Sequence, residues 1–152
     1  MKRDFDQLMA DVKQLHEKLV GMTPVTRDSL GQCDFPGVYL FTEGGEHLYV
    51  GRTGRHLKKR LPEHWRVKDA PLAFRLARIA TGNLKASYKA DDKSRPKLKE
   101  NPEFVAAFKV QKGRIGKMSI RYVQVDDPTT QALLEIYTAT VLETPHNEFE
   151  TS

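Results

Sequence analysis

Hydrophobic residues near the start of the chain stand at Phe5, Leu8, Val12, Leu15 and Leu19, with Met9 beside them. Spacings that alternate between three and four place them on one stripe of a helix of about five turns, which Gly21 ends. So short a stripe is expected to pack on the chain's own sheet, with a coiled coil to a second copy as the alternative. A polar connector follows through Gly31. Gly37-Val38-Tyr39-Leu40-Phe41 and His47-Leu48-Tyr49-Val50 are β-rich runs separated by Thr42-Glu43-Gly44-Gly45-Glu46, the pattern of a hairpin.

Beyond the hairpin the pattern turns helical, around Leu57 to Trp65 and again from Pro71 to Ala80, where Gly82 marks the end. Residues 83 to 100 are polar and basic, contain Pro96, and read as a loop. Asn101 is placed to cap a helix from Pro102 to about Lys112, with Gly113 and Gly116 flanking a turn. Met118 to Val125 alternates as a strand does. Asp127 and Pro128 then open a last helix that runs to about Glu143. Helix, hairpin, helices, strand and helix in that order predict an α+β fold, a hairpin-centred mixed or antiparallel sheet flanked by helices.

The chain has 152 residues, one domain's length, and a core of that size buries roughly 70% of the unfolded chain's surface without a staple. We therefore expect a single domain over 1–152, in which 1–35 form the first helix and connector and 66–116 a basic insertion. Cys33 is the sole cysteine, which excludes an internal disulfide and a Cys-Cys zinc pair and fits a reducing, cytoplasmic setting. No apolar run approaches the roughly 18 residues of a membrane span, so no membrane association is expected.

Charge is unevenly distributed. Of 25 Lys and Arg, 15 fall between residues 52 and 99 against four acids, leaving +11 there and -6 elsewhere. Such polarity suits a surface that meets a polyanion, although a solvated lysine-rich face has the same composition.

Three features suggest chemistry. Glu135 is the only charged residue from Ala132 to Leu142, and on a helix it falls between Ala132, Ala139 and Leu142. A carboxylate there is costly unless it is paired, protonated or bound to a cation. Arg60 and His64 stand four apart and share a helix face, with Pro62 between them able to kink or restart the helix. Tyr39 and Tyr49 occupy the two hairpin strands. A two-residue Gly44-Gly45 turn sends their phenols to opposite faces, whereas an odd loop centred on Gly44 sends both to one face.

Gly37-Val38-Tyr39, Tyr49-Val50-Gly51, Arg60, His64, Glu135 and Asn147 together resemble the signature of the GIY-YIG nuclease superfamily. The isoleucines of that name are valines here, and the resemblance spans 36 to 147. It implies that both tyrosines face one active site and that the reaction is endonucleolytic hydrolysis of DNA. Under it, Glu135 binds one Mg²⁺ or Mn²⁺, and Arg60 holds the scissile phosphate. Tyr39 or Tyr49 assists water deprotonation with a lowered phenol pKa or passes the proton to His64. Asn147 positions the Tyr39 region or the substrate.

Arg52, Arg55, Lys58, Lys59, Arg75, Arg78, Lys85, Lys89, Lys93 and Arg95 are the expected nucleic-acid contacts, with Trp65, Phe74 or Tyr88 able to stack on bases. DNA is the expected partner rather than RNA, met by a monomer or homodimer. A non-catalytic alternative is a degenerate nuclease fold. Another is a KH-like RNA-binding module, since Val50-Gly51-Arg52-Thr53-Gly54-Arg55-His56-Leu57 resembles a GxxG loop.

Overall fold

The computed structural model describes residues 3–68, 70–82 and 95–148. Among them lie helices α1 (Phe5–Gly21), α2 (Leu57–Arg66), α3 (Pro71–Thr81), α4 (Arg95–Glu100), α5 (Pro102–Ile115) and α6 (Pro128–Leu142). The strands are β1 (Gly37–Glu43), β2 (Glu46–Thr53) and β3 (Ser119–Gln124). The fold is α+β. The chain divides into two compact units, Met1–Leu61 with Met118–Ser152, and Pro62–Lys117. Their formal charges are -3 and +8 respectively.

The first unit is built on an antiparallel sheet in the order β2-β1-β3. Alternation sends Val38, Leu40, Val50 and Val123 to one face, where they pack with Val12 and Leu19 of α1 and with Leu134 and Ala139 of α6. Each buried valine or leucine among them contributes about 1.5–3 kcal/mol. The first helix therefore spends its stripe on its own sheet. Side-chain caps fix both helix starts: Asp4 accepts from the Gln7 amide at 2.7 Å, and Asp127 from the Thr130 amide at 2.9 Å.

The hairpin register differs from both sequence expectations. Gly44 and Gly45 do form a two-residue turn, with φ of 57° and 81°, the left-handed pair that such a turn needs. Glu43 pairs with Glu46 and Thr42 with His47, but Phe41 then pairs with Tyr49. Leu48 is the extra residue of a β-bulge. The one-residue slip restores Tyr39 opposite Gly51 and brings Tyr49 to the same face. Leu48 is buried, and its carbonyl accepts from the His146 amide at 3.2 Å.

The second unit packs Phe74 and Ala77 of α3 against Leu98 of α4 and Phe104 of α5. Residues 95–100, expected as loop, are helical: Pro96 lies in the first turn, where proline loses no hydrogen bond, and Leu98 is buried. Helix α5 runs through Gly113 to buried Ile115 instead of stopping at the glycine. Helix α2 continues unbroken through Pro62.

Candidate active site

The site lies in the first unit, on the sheet face that carries Tyr39, Phe41, Tyr49 and Gly51. Tyr39 is 1% exposed, and its ring meets Phe41 edge-on at 5.7 Å between centroids. The phenol also leans across Gly51. A β-carbon on that glycine would stand 2.3 Å from Tyr39 Cζ and 2.4 Å from its hydroxyl. Glycine is thus required for the phenol to cross β2 toward the free edge of the sheet.

Arg60, on the α2 turn after β2, donates a hydrogen bond to the Tyr39 hydroxyl. The first amides of α2 are already used, Leu57 N–H by the Phe35 carbonyl at 2.9 Å and Lys58 N–H by that of Cys33 at 3.0 Å. These bonds anchor the helix that delivers the guanidinium.

Glu135 approaches from the other layer. Helix α6 packs on the sheet face opposite the phenols, chiefly along β2. Because β2 is the edge strand, a carboxylate on α6 can come within electrostatic reach of the phenols on the other face. Its Oε1 is 3.9 Å from Arg52 Nε, and its charge acts on both Tyr39 and Tyr49. Burial pushes the Glu135 carboxyl above the usual carboxylate range, with Arg52 opposing.

The same balance of burial and charge acts on the phenols, against a lowered pKa. Burial raises Tyr39 most, Tyr49 and Glu135 add to it, and Arg60 only partly offsets them. Tyr49 is raised by burial and then by Glu135, again against Arg60. Both are neutral O–H groups at neutral pH. In that state each phenol can donate a hydrogen bond.

Asn147 spends its amide on the backbone. Its Oδ1 accepts from Val50 N–H at 2.8 Å and from Thr144 Oγ1 at 2.7 Å, while Nδ2 donates to the Val50 carbonyl at 2.7 Å. The side chain thus pairs with β2 as a neighbouring strand would and holds the Tyr49-Val50-Gly51 segment in place. It is a positioning residue for the tyrosines.

Gln131 is a contributor that sequence reading missed. It is 1% exposed and donates from Nε2 to the carbonyls of Thr53 at 3.1 Å and Val125 at 2.6 Å. Standing one turn before Glu135 on α6, it ties that helix to the ends of β2 and β3. Its Oε1 is buried with no partner among the described residues.

The remaining predicted contacts divide. Arg52, Arg55, Lys58 and Lys59 are exposed in the first unit. His64 is fully buried and belongs to the second unit, where Arg75 is half-buried. Arg78 is buried with its guanidinium 4.9 Å over the Phe74 ring, so it does not serve as an exposed phosphate contact. Phe74 itself fills the core rather than stacking on bases, and Trp65 is half-buried. Lys85, Tyr88, Lys89, Lys93 and the Arg95 side chain lie outside the described residues. Exposed lysines at 97, 99, 109 and 117 extend the basic surface of the second unit.

Among the described residues no three His, Cys, Asp or Glu side chains gather into a metal cage. One carboxylate beside phenol oxygens is a hard-donor set. It fits Mg²⁺ or Mn²⁺ in the manner of an ion that keeps most of its waters and takes one carboxylate plus substrate phosphate. The GxxG-like segment has a strand in place of the first of its two helices, since Gly51 to Thr53 lie in β2 and Gly54 leads into α2. No protein-family model, curated protein or solved structure matches the chain.

Proposed function

We propose that the first unit is a metal-dependent endonuclease site of the GIY-YIG type that hydrolyses DNA phosphodiesters. The observation that carries this reading is that Arg60 and Glu135 both act on the Tyr39 and Tyr49 phenols of one sheet face. Residues up to 96 positions apart thereby share one electrostatic neighbourhood. In this reading Arg60 binds the scissile phosphate and offsets its developing charge. Tyr39, fixed by Arg60, and Tyr49 donate hydrogen bonds that orient the phosphate and the attacking water. Glu135 holds the divalent cation, which when bound stabilises the departing sugar oxygen. Gly51 and Asn147 keep the phenols in register. The +8 unit supplies a basic surface for the phosphate backbone.

The test is nicking of supercoiled plasmid with and without Mg²⁺ or Mn²⁺, by the wild type, Glu135→Gln and Arg60→Ala. Losses on the order of 10²- to 10⁴-fold are expected for each variant, with circular dichroism confirming the fold. Cleavage indifferent to both metal and Glu135 would remove the mechanism. DNA affinity should also fall steeply with salt, by about 0.9 counterion per phosphate contacted.

A further inference from the structure

We propose that Arg52 couples the cation site to the polyanion: without nucleic acid its guanidinium holds Glu135, and phosphate groups draw it away as the cation arrives. The inference rests on Glu135 being the cation ligand.

The geometry supports it in three ways. Arg52 directly follows Gly51 on the edge strand, and alternation turns it toward α6, where its Nε lies 3.9 Å from Glu135 Oε1. Its side chain is 43% exposed and that of Glu135 21%, so the arginine can swing into solvent while the carboxylate stays with the helix. Among the described residues Glu135 belongs to no group of three or more His, Cys, Asp or Glu side chains that could cage a metal. A single carboxylate already matched by a guanidinium attracts a divalent cation only weakly.

Charge then sets the sign of the coupling. A cation approaching Glu135 is repelled by Arg52, and a phosphate approaching Arg52 is repelled by Glu135. When both arrive, each opposite-charge contact is kept and the two protein groups no longer need one another. Cation and polyanion must therefore raise each other's affinity by one common factor. An exposed pair is screened, which keeps that factor modest.

The experiment measures Mn²⁺ binding to the full chain from its electron paramagnetic resonance signal, with and without a short DNA duplex. Wild type, Arg52→Gln, Arg52→Lys and Glu135→Gln are compared, with melting temperature as the check on folding. Arg52→Gln should bind Mn²⁺ about three- to tenfold more tightly than wild type in the absence of DNA. The enhancement by DNA should shrink by a similar factor, and Arg52→Lys should restore the weak affinity of the free protein. If Arg52→Gln and wild type bind Mn²⁺ equally without DNA while Glu135→Gln loses it, the coupling is wrong and the cation reading stands. If Glu135→Gln binds Mn²⁺ as wild type does, the cation reading fails and takes the coupling with it.

Discussion

The phenol of Tyr39 lies across the α-carbon of Gly51, its partner in the β1–β2 register, leaving no room there for a methyl group. Gly51→Ala must displace the ring from Arg60 or part the two strands. An overpacking cost of about 1–3 kcal/mol is expected, read from the urea midpoint. Adding Tyr39→Ala should make the second substitution cheaper than it is alone, because the clash disappears with the ring. Strict additivity of the two would show that the contact is not the cause.

Much of this arrangement was legible in the chain, and the exceptions share a cause. The Gly44-Gly45 turn and the lone acid of α6 are local signals, one of backbone freedom and one of pattern. The bulge at Leu48 is not local. It goes with a carbonyl held by His146, almost a hundred residues on. Pro96 and Gly113 read as breakers because propensity ignores the burial of Leu98 and Ile115, which keeps their helices going. A lowered phenol pKa is what the resemblance implies, whereas the burial that raises it depends on packing that no local pattern reports. A signal for Gln131 did exist. It stands one residue before the apolar stretch that contains Glu135, and four before the acid itself.

Asn147 should matter for stability before it matters for chemistry. Asn147→Ala removes both bonds to Val50 and strands the Val50 N–H and C=O at the sheet edge. A loss of about 1–3 kcal/mol is expected. Asn147→Asp keeps the acceptor but cannot donate to the Val50 carbonyl, so it should also destabilise. The check is amide hydrogen exchange at Val50, which should quicken in both variants. Unchanged protection would show that the edge is held by something else.

The two phenols predict a response at alkaline pH. Both titrate above the ordinary value of about 10 in the folded chain, so the folded state keeps protons that the unfolded state releases. Their stabilisation is complete below pH 10 and is lost as pH rises beyond it toward the folded values. Absorbance at 295 nm should show late-ionising tyrosines whose release coincides with unfolding, fewer of them in Tyr39→Phe and Tyr49→Phe. Between pH 6 and 9 cleavage should show no limb that either substitution removes. A limb lost with one of them would identify a phenolate base.

Glu135 carries the opposite trade between stability and function. Its pKa is raised on folding, so any stabilisation from its protonated form is present below about pH 4.3 and is lost as pH rises through the folded value. At neutral pH the charged form is therefore a net liability, and Glu135→Gln should melt above wild type while losing cleavage. The gap should close as pH is lowered toward 4. A lower melting temperature for Glu135→Gln at pH 7 would mean that the ion pair with Arg52 outweighs desolvation.

Gln131 separates two contributions that a single substitution usually confounds. Gln131→Met removes two donated hydrogen bonds, worth about 0.5–1.5 kcal/mol each, but also removes the buried Oε1 whose lack of a partner costs about 1–3 kcal/mol. The near cancellation predicts a change in stability of only about 1 kcal/mol. Gln131→Glu, by contrast, sets a buried charge against the Thr53 and Val125 carbonyls and should cost about 3 kcal/mol or more at neutral pH. With those hydrogen bonds gone, the methionine variant should fold nearly as well as wild type yet cleave more slowly, because Glu135 is held less closely to the edge strand. Urea unfolding of both variants alongside single-turnover cleavage by Gln131→Met reads the two effects apart. A methionine variant that is strongly destabilised, or that cleaves at the wild-type rate, would show that the amide acts only as a brace.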